Sequence, residues 1–167
     1  GFEGKRMRIQ GLVRPAVAVV VAALGLTVAG CSGSKPSAEK CQSVAAPLPD
    51  IPTRTAQEPR LRIPVPPGWE RTAKMDSELN LKDVTTTSTN VCGAPALSST
   101  YSTPELKLSP KIPPIPPRKA TSLGMVYRAG DSNYVATLTV QTIKPDNPAY
   151  IKDSEEIIKG FQLLPPQ

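Results

Sequence analysis

Histidine is absent from the 167 residues, and aromatic side chains are scarce: one Trp, two Phe and four Tyr. Without imidazole there is no Ser-His-Asp triad, no Cys-His dyad and no histidine-ligated metal. The three cysteines form no Cys-x-x-Cys, which argues against a thioredoxin-type redox pair. A Gly-rich phosphate loop, a G-x-S-x-G elbow and an acidic metal loop are missing as well. No apolar run approaches the ~20 residues that a membrane-spanning helix needs. The longest, Ala16 to Ala29, has 14 residues and contains Gly25 and Thr27. Proline is abundant instead, at 20 residues. So much proline with so few aromatics implies extended and turning segments around a modest core.

Residues 1–30 read as a removable leader. Met7 fits an initiator, which makes residues 1–6 an upstream extension. Lys5, Arg6, Arg8 and Arg14 form a basic start, and the run Ala16 to Ala29 has the length of a signal-peptide core. It ends Val28-Ala29-Gly30-Cys31, which resembles the bacterial lipobox: an aliphatic residue, two small ones, then Cys. Small residues suit a peptidase that draws extended backbone into a narrow site. Cleavage then falls between Gly30 and Cys31, and the Cys31 thiol takes the diacylglycerol, with palmitate-type chains. Two or three acyl chains, at ~0.8 kcal/mol per buried CH₂, anchor a protein firmly. The expected location is the extracytoplasmic face of a cell membrane, with lipid on Cys31 as the membrane contact.

Four of the 20 cations and one of the 14 acids lie in residues 1–30, so the formal charge of +6 becomes +3 without them. With no basic cluster interleaved with aromatics, nucleic acid is not an expected partner. Once Cys31 is acylated, Cys41 and Cys92 remain, and an even pair in an oxidising compartment implies a disulfide. It would pin the tail at Cys41, leaving a tether of ten residues that reaches at most ~35 Å.

The expected organisation is a leader over 1–30, a lipidated and disordered Pro/Ser-rich tether over 31–60, and a small α+β domain over 61–167. Leu61, Ile63 and Val65 alternate with Arg62, Pro64 and Pro66 as in an edge strand, and Pro67-Gly68-Trp69 turns the chain. Glu70 to Leu81 has the spacing of a short helix. The β-branched run Val84 to Thr89 favours a strand, with O-glycosylation as the functional alternative. A Pro-rich loop covers 93–120, and Pro110 to Arg118 predicts polyproline II. Within it, Pro113-x-x-Pro116-x-Arg118 has the pattern of an SH3 ligand, against which the compartment speaks. Leu123, Met125 and Tyr127, then Tyr134, Ala136, Leu138 and Val140, predict a hairpin with one wet side. A helix capped at Asp146-Asn147-Pro148 follows and ends at Gly160, with Tyr150, Ile151, Ile157, Ile158 and Phe161 inward.

No residue set points to catalysis, a metal or a cofactor. Ser32-Gly33-Ser34-Lys35 and Ser37-Ala38-Glu39-Lys40 match S-x-x-K, but lack the Ser-Asp-Asn and Lys-Thr-Gly partners of penicillin-binding enzymes. Glu155 and Glu156 are neighbours that point about 100° apart on a helix.

The lipobox, the polar tail and Leu61-Arg62-Ile63-Pro64-Val65-Pro66-Pro67-Gly68-Trp69 together resemble the Lpp-LpqN family of mycobacterial lipoproteins. The likeness continues in Tyr134–Ile143 and in the helix ending Lys159-Gly160-Phe161, covers about half of the chain, and does not extend over 85–120. It implies a Mog1/PsbP-like α/β sandwich, here a small antiparallel sheet with one or two helices, and it brings no catalytic residues. The expected role is a monomeric, non-catalytic binding or adaptor module in an actinobacterial envelope. Carriage of an envelope lipid is the alternative. Trp69, Tyr101, Tyr127, Pro113, Pro116 and Arg118 are the candidate binding residues, with ordinary core as the competing role for Trp69 and Tyr127.

Overall fold

The computed structural model describes residues 7–15, 35–72, 81–129 and 131–166. Its strands are β1 (Met7–Pro15), β2 (Asp50–Ile51), β3 (Arg60–Arg62), β4 (Glu70–Arg71), β5 (Lys82–Val91), β6 (Ala94–Thr103), β7 (Arg118–Ala129), β8 (Ser132–Thr142) and β9 (Gln162–Leu164). The described residues hold one α-helix, α1 (Pro148–Gly160). Six strands form the main sheet in the order β4-β1-β8-β7-β6-β5, and β2-β3-β9 form a second. The class is α+β, as expected, but the sheet is not small.

Antiparallel meanders build β5 through β8, and the β7–β8 hairpin follows from its sequence. In β8, Tyr134, Ala136, Leu138 and Val140 all point into the core, opposite a β7 row of Leu123, Met125 and Tyr127. Strict alternation is what a sheet with one covered face requires. On the other face Tyr101 Oη, Ser122 Oγ and Thr139 Oγ1 run as a chain of hydroxyls at 3.2 and 3.1 Å. That face is not uniformly wet, because Gln141 and Ala120 are buried there.

A layer made of α1 and the small sheet covers the core face. Ile157 is fully buried, and Phe161 and Leu163 join it in one cluster with Ile9, Leu61, Ile63 and Leu138. Asn147 caps α1 as expected, its Oδ1 accepting from the Ala149 N–H at 3.0 Å. One expectation for this helix changes. Ile151 is 44% exposed; six residues from Ile157, it lies about 240° around the helix and does not share its face. Gly160 is the last helical residue, as expected, but its φ is not positive. A Cβ there would sit 2.5 Å from Val44 Cγ2 and 2.7 Å from Pro64 Cγ. Close approach selects the glycine.

The segment expected as a disordered tether is, from Lys35 onward, laid against the domain. Pro36, Glu58 and Pro59 are buried. Proline lacks an N–H but keeps its carbonyl. Pro47 and Pro49 accordingly accept from the N–H groups of Val65 and Ile63, at 2.9 and 3.4 Å. A one-sided ladder results. Ala46 N–H adds a bond to Glu156 Oε1 at 3.1 Å, and Arg62 Nε reaches Asp50 Oδ1 at 2.6 Å.

The loop expected over 93–120 is shorter, because 94–103 is strand β6 and Arg118 already belongs to β7. Between them the chain is pinched rather than extended as polyproline II. Leu106 and Ile115 exchange both backbone hydrogen bonds, at 2.9 and 2.8 Å, and Ile112 N–H donates to Ser109 O across a turn with Pro110 second. The pair gives two N–H groups a protein partner that polyproline II would leave to water. Residues 73–80, which include most of the expected Glu70–Leu81 helix, lie outside the described residues, and Glu70–Arg71 is strand. So do Gly30, Cys31 and the run Ala16 to Ala29.

Burial holds the Tyr127 phenol above its ordinary value of 10.0, since the phenolate loses water there. The folded state thus keeps its proton more tightly than the unfolded one. Its contribution to stability is complete below pH about 10 and is lost as pH rises through the folded-state value. Thermal unfolding followed from pH 8 to 11 should show a fall at the alkaline end that Tyr127→Phe reduces. An equal fall in the variant would place its cause elsewhere.

Candidate functional site

Three of the residues expected at a binding surface are core. Trp69, Tyr101 and Tyr127 are 7%, 7% and 6% exposed. Trp69 follows a turn in which its N–H bonds Pro66 O at 3.1 Å and Gly68 takes φ 87°. That is the type II arrangement, with Pro67 second and Gly third. The indole then docks on α1. Its Nε1–H donates to Asp153 Oδ2 at 2.9 Å, and its ring meets Tyr150 edge-on with centroids 6.5 Å apart. A carboxylate on the helix, not solvent, thus satisfies the indole N–H. Arg118 is buried at the start of β7, so it does not present its guanidinium to an acidic groove. Pro113 and Pro116 are exposed.

The loop around these prolines carries two of the large hydrophobics that are exposed among the described residues. Leu108 is 61% and Ile112 54% exposed, on the two sides of the Ser109–Ile112 turn, with Lys107 and Lys111 beside them. A single exposed aliphatic needs no explanation, but two on a proline-stiffened tip make a contact feature.

A concavity lies between α1 and the β5–β6 turn. That turn has two residues, Cys92 at φ 50° and Gly93 at φ 87°, with Val91 paired to Ala94. Left-handed backbone at both central positions is the hairpin geometry that matches strand twist. For a cysteine it is strained. Two bonds hold it: the disulfide to Cys41 and the Ser37 N–H to Cys92 O at 3.0 Å. The expected pairing of Cys41 with Cys92 is therefore present. Lys40 lies so close over Gly93 that any Cβ there would collide with its side chain.

The cleft beside this staple encloses about 250 Å³. Leu123, Val91, Ile158 and Phe161 line it, and Lys40, Gln42, Glu155 and Lys159 stand at its rim. Ligand pockets usually hold about 300–1,000 Å³, so this one suits a side chain or a small polar group. Of the two S-x-x-K matches, Ser32–Lys35 lies largely outside the described residues. Ser37–Lys40 forms one tight turn whose serine hydroxyl makes no capping bond. Glu155 faces the cleft while Glu156 binds Ala46, so the adjacent carboxylates do separate work.

No protein-family model, curated protein or solved structure matches this chain. Among the described residues no group of three His, Cys, Asp or Glu is placed to hold a metal ion. No described helix is long and apolar enough to cross a membrane.

Sequence reasoning missed the cleft altogether. Its only signal was Cys92-Gly93 between two strand-like runs, a hairpin turn with a disulfide partner.

Proposed function

We propose that this chain is a lipid-anchored, extracytoplasmic binding or adaptor module of an actinobacterial cell envelope, akin to the Lpp-LpqN lipoproteins and their Mog1/PsbP-like sandwich. The observation that carries the reading is the Cys41–Cys92 disulfide, which belongs in an oxidising compartment. It stands ten residues after the Val28-Ala29-Gly30-Cys31 motif. Pro36 is already buried, so four residues lie between the lipidated cysteine and that anchored proline, a span of at most ~18 Å. The domain is held near the headgroups, with the Leu108/Ile112 tip as its apolar contact for a partner. The small, polar-rimmed cleft favours this role over carriage of an acyl chain.

The test is to express the full chain in an actinobacterial host fed an alkyne-tagged palmitate. Label and membrane association are expected in the wild type and absent in Cys31→Ser. A labelled Cys31→Ser protein, or an unlabelled wild type, would sink the reading.

A further inference from the structure

Strand β1 is the point of conflict between the leader and the fold. Processing at Cys31 removes Met7–Pro15, yet this strand sits inside the main sheet. It pairs antiparallel with β8 over nine residues, Met7 opposite Thr142 through Pro15 opposite Tyr134. On its other side it runs parallel to β4, Arg8 opposite Glu70. Ile9 O accepts from the Thr72 N–H at 2.8 Å, and Val13 O from Arg54 Nη2 at 3.0 Å. Its core face is shaped as well. Ile9 is fully buried, and a Cβ at Gly11 would collide with the buried Ile63 side chain.

Taking β1 away uncovers a long row of unpaired N–H and C=O groups on β8 and removes the partner of β4. Native sheets seldom leave such an edge open, because it templates pairing with another chain. We propose that the place of β1 is a strand-acceptor groove. The leader fills it before processing, and in the mature lipoprotein it takes an extended segment of another polypeptide. This rests on the lipoprotein reading above. The groove also specifies its guest: a strand antiparallel to β8, with a large aliphatic residue two positions before a glycine. Main-chain bonds to β8 supply affinity, and the Ile9 and Gly11 positions supply specificity.

The test uses the processed, lipidated protein purified from the host membrane in detergent, its N-terminus read by mass spectrometry. Hydrogen exchange at β8 is compared alone, with a synthetic peptide of residues 7–15, and with the same peptide carrying Gly11→Val. The expected result is fast exchange alone, slowed at least roughly tenfold by the native peptide and unchanged by the Gly11→Val peptide. A processed chain that folds only when the native peptide is added supports the proposal equally. Slow exchange without peptide, or no response to it, overturns the groove while leaving the lipoprotein reading intact. A mass that still includes residues 7–30 overturns both.

Discussion

Replacing both Cys41 and Cys92 by alanine is expected to lower the unfolding free energy by about 4 kcal/mol. The two residues are 51 apart, and closing a loop of that length removes about this much chain entropy from the unfolded state. The folded state loses something too. Cys92 keeps its left-handed backbone because the disulfide and Ser37 hold it; an untied alanine with positive φ is strained. The segment from Lys35 to Ala46 then rests on few bonds, chiefly Ser37 to Cys92 O and Ala46 to Glu156. Against a typical total of about 5–15 kcal/mol, this is a large share. Denaturant unfolding of the double variant should show a lower midpoint, and the melting temperature should fall by roughly 8–16 °C. A loss below about 1 kcal/mol would mean that the unfolded chain is already compact around this loop.

Trp69→Ala is the second large effect expected, at about 3–5 kcal/mol. Three contributions fall together. The ring leaves a cavity in a cluster that includes Ile157 and Phe161, the edge-on contact with Tyr150 disappears, and Asp153 loses its N–H donor. Two smaller changes separate them. Trp69→Phe keeps most of the buried area but drops the hydrogen bond, for about 1–3 kcal/mol. Asp153→Ala keeps the ring and removes the acceptor. As the only tryptophan, Trp69 reports directly: Asp153→Ala should shift its fluorescence emission in the folded state. Equal stability of Trp69→Phe and wild type would show that solvent satisfies the indole N–H as well as Asp153 does.

Both predictions join a feature visible in the chain to a tertiary consequence that was not. The cysteine pairing followed from parity, with two thiols left once Cys31 is assigned to the proposed lipid anchor. That it props a strained hairpin turn and fixes Lys40 at a cleft depends on where β5 and β6 reverse. The turn at Pro67-Gly68 was equally visible, because proline fixes φ at about −65° and glycine admits the positive φ of the third position. The indole's destination on α1, 84 residues away, was not.

The same division runs through the expected binding surface. Tyr101 looks in sequence like any exposed tyrosine, and only packing buries it, whereas Tyr127 stood on the apolar row with Leu123 and Met125 that already offered a core role. Pro110 to Arg118 reads as polyproline II by composition, yet Leu106 and Ile115 close it into a loop because each finds the other's carbonyl. The strand at Met7–Pro15 carries a period-two signal, with Ile9, Gly11 and Val13 on one side and Arg8 and Gln10 on the other. Two of the four basic residues that led to the leader reading, Arg8 and Arg14, lie in this strand.

What the sequence determined by itself was local: the alternation of β7 and β8, the Asn147 cap, the Pro-Gly turn, and the cysteines available to pair. These depend on a residue's own φ, ψ and rotamer preferences and on neighbours a few positions away. Tertiary structure alone decided which strand lies between β8 and β4, which glycines exist for close approach, and which aromatic rings are covered. Those depend on contacts between residues tens of positions apart, where loop closure and packing select one partner among many that local preference leaves equal.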